Sequence, residues 1–251
     1  MKPQVSIIIP NYNEKENLER GVLEEVSSFL KKAKFTWEVI INDDGSTDGS
    51  LEILEKFVKE HKGFSLIKGK HGGKAYGLWS GIKKSKGDIV LFTDMDQSTP
   101  LKEIKKLLPW YQKGFQVVFG SRGTARKNFP FVRQITSWGF RVIRQLFLLK
   151  GVSDTQCGFK SLKRTVALEI FPKLSVIKNP QNAKGWTVSA YDVELLFLAE
   201  KAGHKLKEVD VFWQDEDVST SKGKNFITES VDMLKQILVV KLNDTKGKYN
   251  K

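Results

Sequence analysis

The run Asp88-Ile89-Val90-Leu91-Phe92-Thr93-Asp94-Met95-Asp96 is apolar at consecutive positions and then stops in two carboxylates one residue apart. A strand with one wet face alternates polar and apolar residues. An unbroken run of this length, set between Gly87 and Pro100, therefore predicts a strand buried on both faces, as in a parallel sheet covered by helices. Asp94 and Asp96 fall at its C-terminal end. In an open α/β sheet that end faces the ligand crevice, and two acids there are placed to bind a hard cation carrying a diphosphate. The alternative is a pair of solvated loop acids, or a cap for a helix starting near Leu101.

The rest of the first half repeats this unit. Val5 to Pro10 is an apolar, β-rich run closed by the turn Asn11-Tyr12-Asn13-Glu14, and Trp37 to Asn42 is a second, ending in Asp43-Asp44-Gly45-Ser46-Thr47-Asp48-Gly49-Ser50. One helix is predicted from about Glu16 to Lys32. Another carries Leu51, Leu54 and Val58 on one face, with Thr47 or Asp48 as its cap and an end near Gly63. Phe64 to Ile67 supplies a third strand, and a helix reaching about Ser85 precedes the Asp88 run. This β-α-β-α-β-α-β order argues for an α/β fold with a Rossmann-like, doubly wound, mostly parallel sheet flanked by helices. A single domain over residues 1–242 is expected, with 243–251 a polar tail that frays.

Between the third strand and its helix lies Gly69-Lys70-His71-Gly72-Gly73-Lys74-Ala75-Tyr76-Gly77. Glycines ahead of a helix can cradle phosphate with backbone N–H groups. The spacing is neither that of a P-loop nor the dinucleotide fingerprint, which counts against those two classes. Lys74 is either a phosphate partner or a solvated surface lysine. A formal net charge of +13 and a pI of about 9.6 point to an anionic partner. No aromatic-basic RNA pattern or helix-turn-helix stands out, so no nucleic acid is expected and nucleotide phosphates or an anionic membrane surface remain. The only cysteine, Cys157, excludes an intrachain disulfide and Cys-rich zinc sites, and it fits a reducing compartment. No apolar run approaches the roughly 20 residues that span a bilayer.

Four motifs stand in a telling order: Val5-Ser6-Ile7-Ile8-Ile9-Pro10-Asn11-Tyr12-Asn13-Glu14, Asp43-Asp44-Gly45-Ser46-Thr47-Asp48-Gly49, Gly73-Lys74-Ala75 and Asp94-Met95-Asp96. On these the chain resembles the family 2 glycosyltransferases, which have the nucleotide-sugar-binding GT-A fold. Val118-Phe119-Gly120-Ser121-Arg122, Ser153-Asp154-Thr155-Gln156-Cys157-Gly158-Phe159-Lys160 and Tyr191-Asp192-Val193-Glu194-Leu195-Leu196 are similar to the subgroup that makes polyprenyl- or dolichyl-phosphate sugars, the dolichyl-phosphate glucosyltransferase branch in particular. The likeness runs from Val5 to about Ser221. It implies a nucleotide-sugar half over 1–96 and an acceptor half over 97–242. It also implies that Pro10, Tyr12, Glu14, Gly73 and Lys74 line the donor pocket, with Asp44 reading the base and Asp43 beside it. Asp94 and Asp96 would hold the ribose and the metal-bound diphosphate, Asp96 more directly, with Mg2+ or Mn2+ as the ion. The donor would be UDP-glucose or GDP-mannose. Met95 stands where the subgroup usually has Ala and would alter the fit of the sugar. Ser98 stands where mannosyl relatives often place a Gln, Ser98-Thr99-Pro100 resembles the glucosyl branch, and Ala75 replaces a usual Gly.

The second half would supply the acceptor, a polyprenyl or dolichyl phosphate, with Arg122, Gln156 and Lys222 as its binding residues. Arg122, at the end of a predicted strand over Phe115 to Gly120, is a phosphate clamp or one more surface arginine. A lipid phosphate is already ionised at neutral pH and needs orienting cations more than a base. A glycan hydroxyl would need a general base, for which Asp192 is the first choice. The resemblance implies single in-line displacement with inversion in either case. Phe131 to Leu149 reads as a helix with Ile135, Trp138, Val142, Leu146 and Leu149 at core spacing. Arg133, Arg141 and Arg144 share another sector, bordered by Phe140, Phe147 and Leu148, which suits a helix lying on the cytoplasmic face of a membrane. A helix buried by its own core or by a dimer partner is the alternative. Cys157 is expected as a small buried residue in a site wall. A second helix spans Asp192 to Ala202, Lys205 to Trp213 reads as an edge or final strand, and Val231, Leu234 and Leu238 mark a C-terminal helix. A non-catalytic nucleotide-sugar-binding protein is the reading from another class.

Overall fold

Side chains leave a strand on alternate faces, so an all-apolar strand feeds two cores at once. In β1 (Val5–Asn11) Ile8 enters one buried cluster with Val90, Phe92, Val117 and Phe119, while Ile7 and Ile9 enter the other with Leu91 and Val118. All three isoleucines are fully buried, each contributing about 1.5–3 kcal/mol. The computed structural model describes residues 2–123, 149, 151–178, 191–218 and 226–249, and of 226–234 and 236 only the backbone. Among the described residues β1, β2 (Trp37–Asp43), β3 (Phe64–Lys68), β4 (Ile89–Phe92), β5 (Val117–Ser121), β6 (Lys160–Lys163) and β7 (Leu206–Asp210) form one seven-stranded sheet. Its order is β3-β2-β1-β4-β6-β5-β7.

β1 pairs in parallel with β2 on one side and β4 on the other, with Ile7 level with Val39 and Leu91. The winding therefore reverses at β1 and β4, which opens the crevice at their C-terminal ends. The doubly wound α/β reading holds, with one difference: β6 runs antiparallel to both β4 and β5, so the central strand has one parallel and one antiparallel neighbour.

The helices are α1 (Lys15–Glu19), α2 (Val22–Lys31), α3 (Ser50–Glu60), α4 (Lys74–Lys84), α5 (Arg164–Ile170), α6 (Tyr191–Lys201) and α7 (Phe226–Thr245), with shorter helical turns between Leu101 and Gln112. The single helix expected over Glu16 to Lys32 is two. Gly21 at φ 87° takes a left-handed conformation that only glycine adopts cheaply, and the chain turns there. α4 lies close on β1, because a Cβ at Gly81 would stand 2.5 Å from Ile8 Cγ2. Leu149 is buried, but the rest of the helix proposed for Phe131 to Leu149, with Arg133, Arg141 and Arg144, lies outside the described residues.

Two expectations at the C-terminus change. Ile237 and Val240 of α7 face the core, whereas Leu238 is 57% exposed. Over its described residues, 243–249, the polar stretch is held and not frayed. Asp244 pairs with Lys201 at 2.5 Å, and the Tyr249 hydroxyl donates to the buried Glu194 carboxylate at 2.6 Å. Ser175 gives the same carboxylate its backbone N–H and its hydroxyl, the latter at 2.6 Å. Burial and the Glu194 charge push the Tyr249 phenol up to about 12. A raised folded pKa favours the protonated phenol, so this contribution is complete below the ordinary tyrosine pKa of about 10 and is lost as pH rises towards 12. Tyr249→Phe should lower unfolding free energy by about 1–2 kcal/mol. Urea denaturation at neutral pH checks this, and an unchanged midpoint would mean that the terminus is not docked through Glu194.

Candidate functional site

The crevice is built from three loops that leave the C-terminal ends of β2, β1 and β4. Asp43 closes β2. Its carboxylate is buried and accepts from Asn11 Nδ2 at 2.8 Å, from Ser46 Oγ at 2.5 Å, and from the N–H groups of Gly45 and Ser46. Asp44 is buried as well and faces the glycine-rich loop. Its two oxygens accept from Gly72 N–H at 2.9 Å and Gly73 N–H at 2.7 Å, and His71 Nδ1 lies 3.4 Å away. This pairing ties the acids after β2 to the glycines before α4, where the backbone turns through a positive φ beside two successive N–H groups aimed at Asp44. Gly73 indeed has φ 85°.

The β1 loop supplies Tyr12, whose ring lies 4.4 Å from the His71 ring at a 35° tilt. Glu14 is buried, and Asn17 Nδ2 donates to it at 2.6 Å. Pro10 is buried within β1 itself. Pro10, Tyr12, Glu14, Asp43, Asp44, Gly73 and Lys74 thus gather on adjacent loops of one crevice. His71 had no role assigned from the sequence. Its place in the glycine-rich loop ahead of α4 was the available signal.

Asp94 and Asp96 follow β4. Asp94 is ion-paired with Lys74 at the start of α4. Its carboxylate also presses on Gly158, where a Cβ would meet Asp94 Oδ2 at 2.0 Å, so any side chain there would displace the Asp94 carboxylate. Burial works against the Lys74 charge, yet Asp94, Tyr191 and Asp192 hold its pKa well above the ordinary lysine value. Asp96 accepts from Ser98 N–H at 2.9 Å. Burial first, then the Asp94 charge and the more distant Asp217, push the Asp96 carboxyl up. Gln97, the residue after Asp96, has φ 50° and braces the turn. Its amide donates to the Asp94 carbonyl at 2.7 Å and to Thr93 Oγ1 at 3.2 Å, and its Oε1 accepts from Leu101 N–H.

Met95 corrects an expectation. Its side chain is buried in the cluster that holds Ile7, Ile9, Cys157 and Phe159, because successive residues at the end of β4 still alternate faces. It fills core, and its bulk is not presented to the crevice.

The second half brings cations to the same edge. Lys160, in β6 and almost fully buried, contacts Asp192 at 2.6 Å and donates to the Cys157 carbonyl at 2.5 Å. The contact at Asp192 Oδ1 is ionic and lacks hydrogen-bond alignment. Asp192 at the start of α6 therefore has a counter-ion, a constraint on the base role. Arg122 is likewise held. Its Nε and Nη2 reach Asp154 at 2.7 and 2.9 Å, and its guanidinium lies 5.7 Å from the Trp213 ring. Burial would raise Asp154, but the Arg122 guanidinium holds it well below the usual carboxylate range. Asp154 is in turn fixed by the Glu208 carboxylate, which accepts its N–H at 2.8 Å. Arg122 is thus neither a surface arginine nor a bare cation. Gln156 donates its N–H to Asp154 beside this pair. Lys222 lies outside the described residues. Lys160, Asp154 and Glu208 had no sequence role. Lys160 and Ser161 stand between Phe159 and Leu162, so no apolar run marked this strand or its lysine. Cys157 is buried, as expected, and burial raises its thiol pKa.

A divalent cation fits the donor set of the β4 turn. Asp94 and Asp96 offer oxygen ligands, and their crowding is what a 2+ charge relieves. Two carboxylates with the remaining positions left to phosphate oxygens and water suit Mg2+ or Mn2+.

Comparison with known proteins places this geometry. The family model described as Glycosyl transferase family 2 matches residues 6–171. A dolichyl-phosphate beta-glucosyltransferase of Dictyostelium discoideum is 32% identical over 262 residues, covering 97% of this chain and 75% of that protein. The protein of that name from Homo sapiens is 30% identical over 233 residues, covering 84% and 68%. Among solved structures, a mannosyltransferase from Pyrobaculum calidifontis in complex with GDP-Man and Mn2+ aligns with a TM-score of 0.64 at 17% identity. The match covers 97% of this chain and 65% of that one, a little under two thirds. Mannosyl-3-phosphoglycerate synthase from Rubrobacter xylanophilus aligns with a TM-score of 0.68 at 16% identity, covering 97% and 75%. Those likenesses establish the GT-A fold, and the family match over 6–171 establishes more: the chain belongs to glycosyltransferase family 2.

Proposed function

We propose that this chain transfers glucose from a nucleotide sugar to the phosphate of a dolichyl-type lipid, by one in-line displacement with inversion. The observation that carries the reading is the meeting of two charge sets at one edge. The acids that follow β2 and β4 lie beside cations from α4 and β6: Lys74 of α4 contacts Asp94 and also feels Asp192 of α6, whose counter-ion is Lys160 of β6. The relatives named dolichyl-phosphate beta-glucosyltransferase support both the sugar and the acceptor.

In this reading Tyr12 and His71 take the base, and Asp44 keeps the Gly72–Gly73 N–H groups in register for the donor. Asp94 and Asp96 hold a divalent cation, Mg2+ or Mn2+. When bound, it offsets the charge that develops on the departing diphosphate. Lys74 lies where it can follow that charge as the sugar–phosphate bond breaks. The acceptor phosphate is already an anion, so the chain has to orient it and exclude water, without removing a proton. The Lys160 contact engages the Asp192 carboxylate that a sugar hydroxyl acceptor would need, which favours the lipid phosphate. Arg122, Gln156 and Lys222 are the proposed acceptor contacts. Among the described residues no helix is long and apolar enough to cross a membrane, and docking at an anionic cytoplasmic surface through Arg133, Arg141 and Arg144 remains part of the proposal.

Two outcomes follow. Asp96→Ala should reduce Mn2+-dependent glucosyl transfer at least about 100-fold, the scale of losing one preorganised charge-stabilising group. Thermal unfolding should be unchanged or slightly raised, because a carboxylate crowded by Asp94 is gone. Transfer that survives both this change and a chelator would exclude the metal role. Asp44→Ala removes two charged hydrogen bonds from the loop and should weaken binding of free UDP about tenfold or more. Calorimetry giving wild-type affinity for UDP would move the base pocket elsewhere.

A further inference from the structure

The segment after β7 lies against the turn that carries Asp96. Gln214 N–H donates to the Ser98 carbonyl at 2.9 Å, and Glu216 N–H donates to Ser98 Oγ at 3.2 Å. Further along, Asn17 Nδ2 reaches Asp217 Oδ1 at 3.1 Å while also holding Glu14. Upstream, Phe212 N–H donates to Glu103. Arg20, in the break between α1 and α2, sits at the centre of this contact. Its Nη2 donates to the Asp96 carbonyl at 2.6 Å, and its Nη1 lies 3.6 Å from Glu216 Oε2. Its Nε is buried without a hydrogen-bond partner among the described residues.

We propose that Arg20 is a positioning residue that staples the Asp94–Ser98 turn to the strap formed by residues 212–218, so that settling the two acids also settles the strap. The physical reasons are three. A guanidinium on a backbone carbonyl fixes the peptide that carries Asp96 without competing for its carboxylate. Gln97 holds the same turn in a left-handed conformation, φ 50°, which persists only where surrounding contacts over-determine it. A cavity of about 390 Å³ lies beside the staple, lined by Arg20, Gln97, Ser98, Phe212 and Glu216, and it leaves the strap room to shift. Trp213 of the strap lies 5.7 Å from the guanidinium of Arg122, so the staple would pass the state of the donor side to the acceptor side. That last meaning rests on the transferase reading, whereas the staple itself does not.

Hydrogen exchange of the full chain, read by mass spectrometry over 212–218, tests the staple without any ligand. Arg20→Gln should speed exchange of this segment about tenfold or more, the local opening expected when a charged hydrogen bond is lost. Arg20→Lys should recover part of it. With UDP-glucose and Mn2+ as probes, wild-type protein should gain protection in the strap and Arg20→Gln should not, while binding of UDP alone stays within about twofold. In turnover, kcat should fall with little change in KM for UDP-glucose, because the strap acts after the donor is bound. If Arg20→Gln does not fold, Glu216→Gln and Ser98→Ala cut the same staple from the strap and should give the same faster exchange. Wild-type exchange over 212–218 in these variants overturns the proposal, as does an equal loss of UDP binding, which would make Arg20 ordinary support for the pocket. Wild-type protein that ignores UDP-glucose and Mn2+ would sink the donor reading, and the ligand-free exchange would still decide the staple.

Discussion

Negative charge gathered at one edge of the sheet is the constraint on which the rest of the structure depends. Asp43, Asp44, Asp94 and Asp96 all follow strands that meet at the β1–β4 reversal, and the first two are nearly inaccessible to water. An uncompensated buried carboxylate costs several kcal/mol, so each needs its own solution. Asp43 is solved locally by the N–H groups of Gly45 and Ser46, and Asp44 by those of Gly72 and Gly73 in another loop; both bind without adding charge. Asp94 takes Lys74 from the preceding helix, and the second half repeats the scheme with Lys160 on Asp192 and Arg122 on Asp154. Asp96 has one N–H and like charges around it. It is the acid whose compensation is least complete, and so the one best prepared to welcome a cation.

Rigidity is concentrated at the same edge. Among the described residues the non-glycine positions with left-handed backbone are Asn13 and Gln97, one in the loop after β1 and one in the loop after β4. Each is locked by its own amide: Asn13 Oδ1 accepts from Thr47 N–H at 2.9 Å, and Gln97 ties Thr93, the Asp94 carbonyl and Leu101 together. Strain of this kind costs on the order of 1–3 kcal/mol and marks places where geometry is held for a purpose other than stability.

Much of the fold was legible because burial on two faces leaves unbroken apolar runs. Val5 to Pro10, Trp37 to Asn42 and Ile89 to Phe92 were readable as strands for that reason, and their order implied the crevice. What was misread depended on one residue or on a distant partner. Gly21 splits a helix that periodicity alone would continue. Antiparallel β6 is short and carries Lys160, so it has neither the length nor the composition of a buried strand. Leu238 fits the helical period yet faces outward, because three apolar residues at helical spacing do not say which face meets the protein. Tyr249, seven residues beyond Leu242 in a polar stretch, is anchored by Glu194, which is 55 positions away.

By itself the sequence determined the sheet's central strands, the placing of acids at their ends, and through four ordered motifs the family. These are local properties, written in consecutive side chains and in spacing. Only the tertiary structure decided how the acids are compensated, because a counter-charge or an N–H donor can come from anywhere in the chain. Asp44 could have been solvent-exposed, and it is instead bound to a loop 28 residues on. Met95 could have faced the crevice, and the pleat turns it into the core. Arg20 carried no signal at all, since its partners are the Asp96 carbonyl 76 residues away and Glu216 beyond it. Charge is compensated in three dimensions, and one dimension does not record with whom.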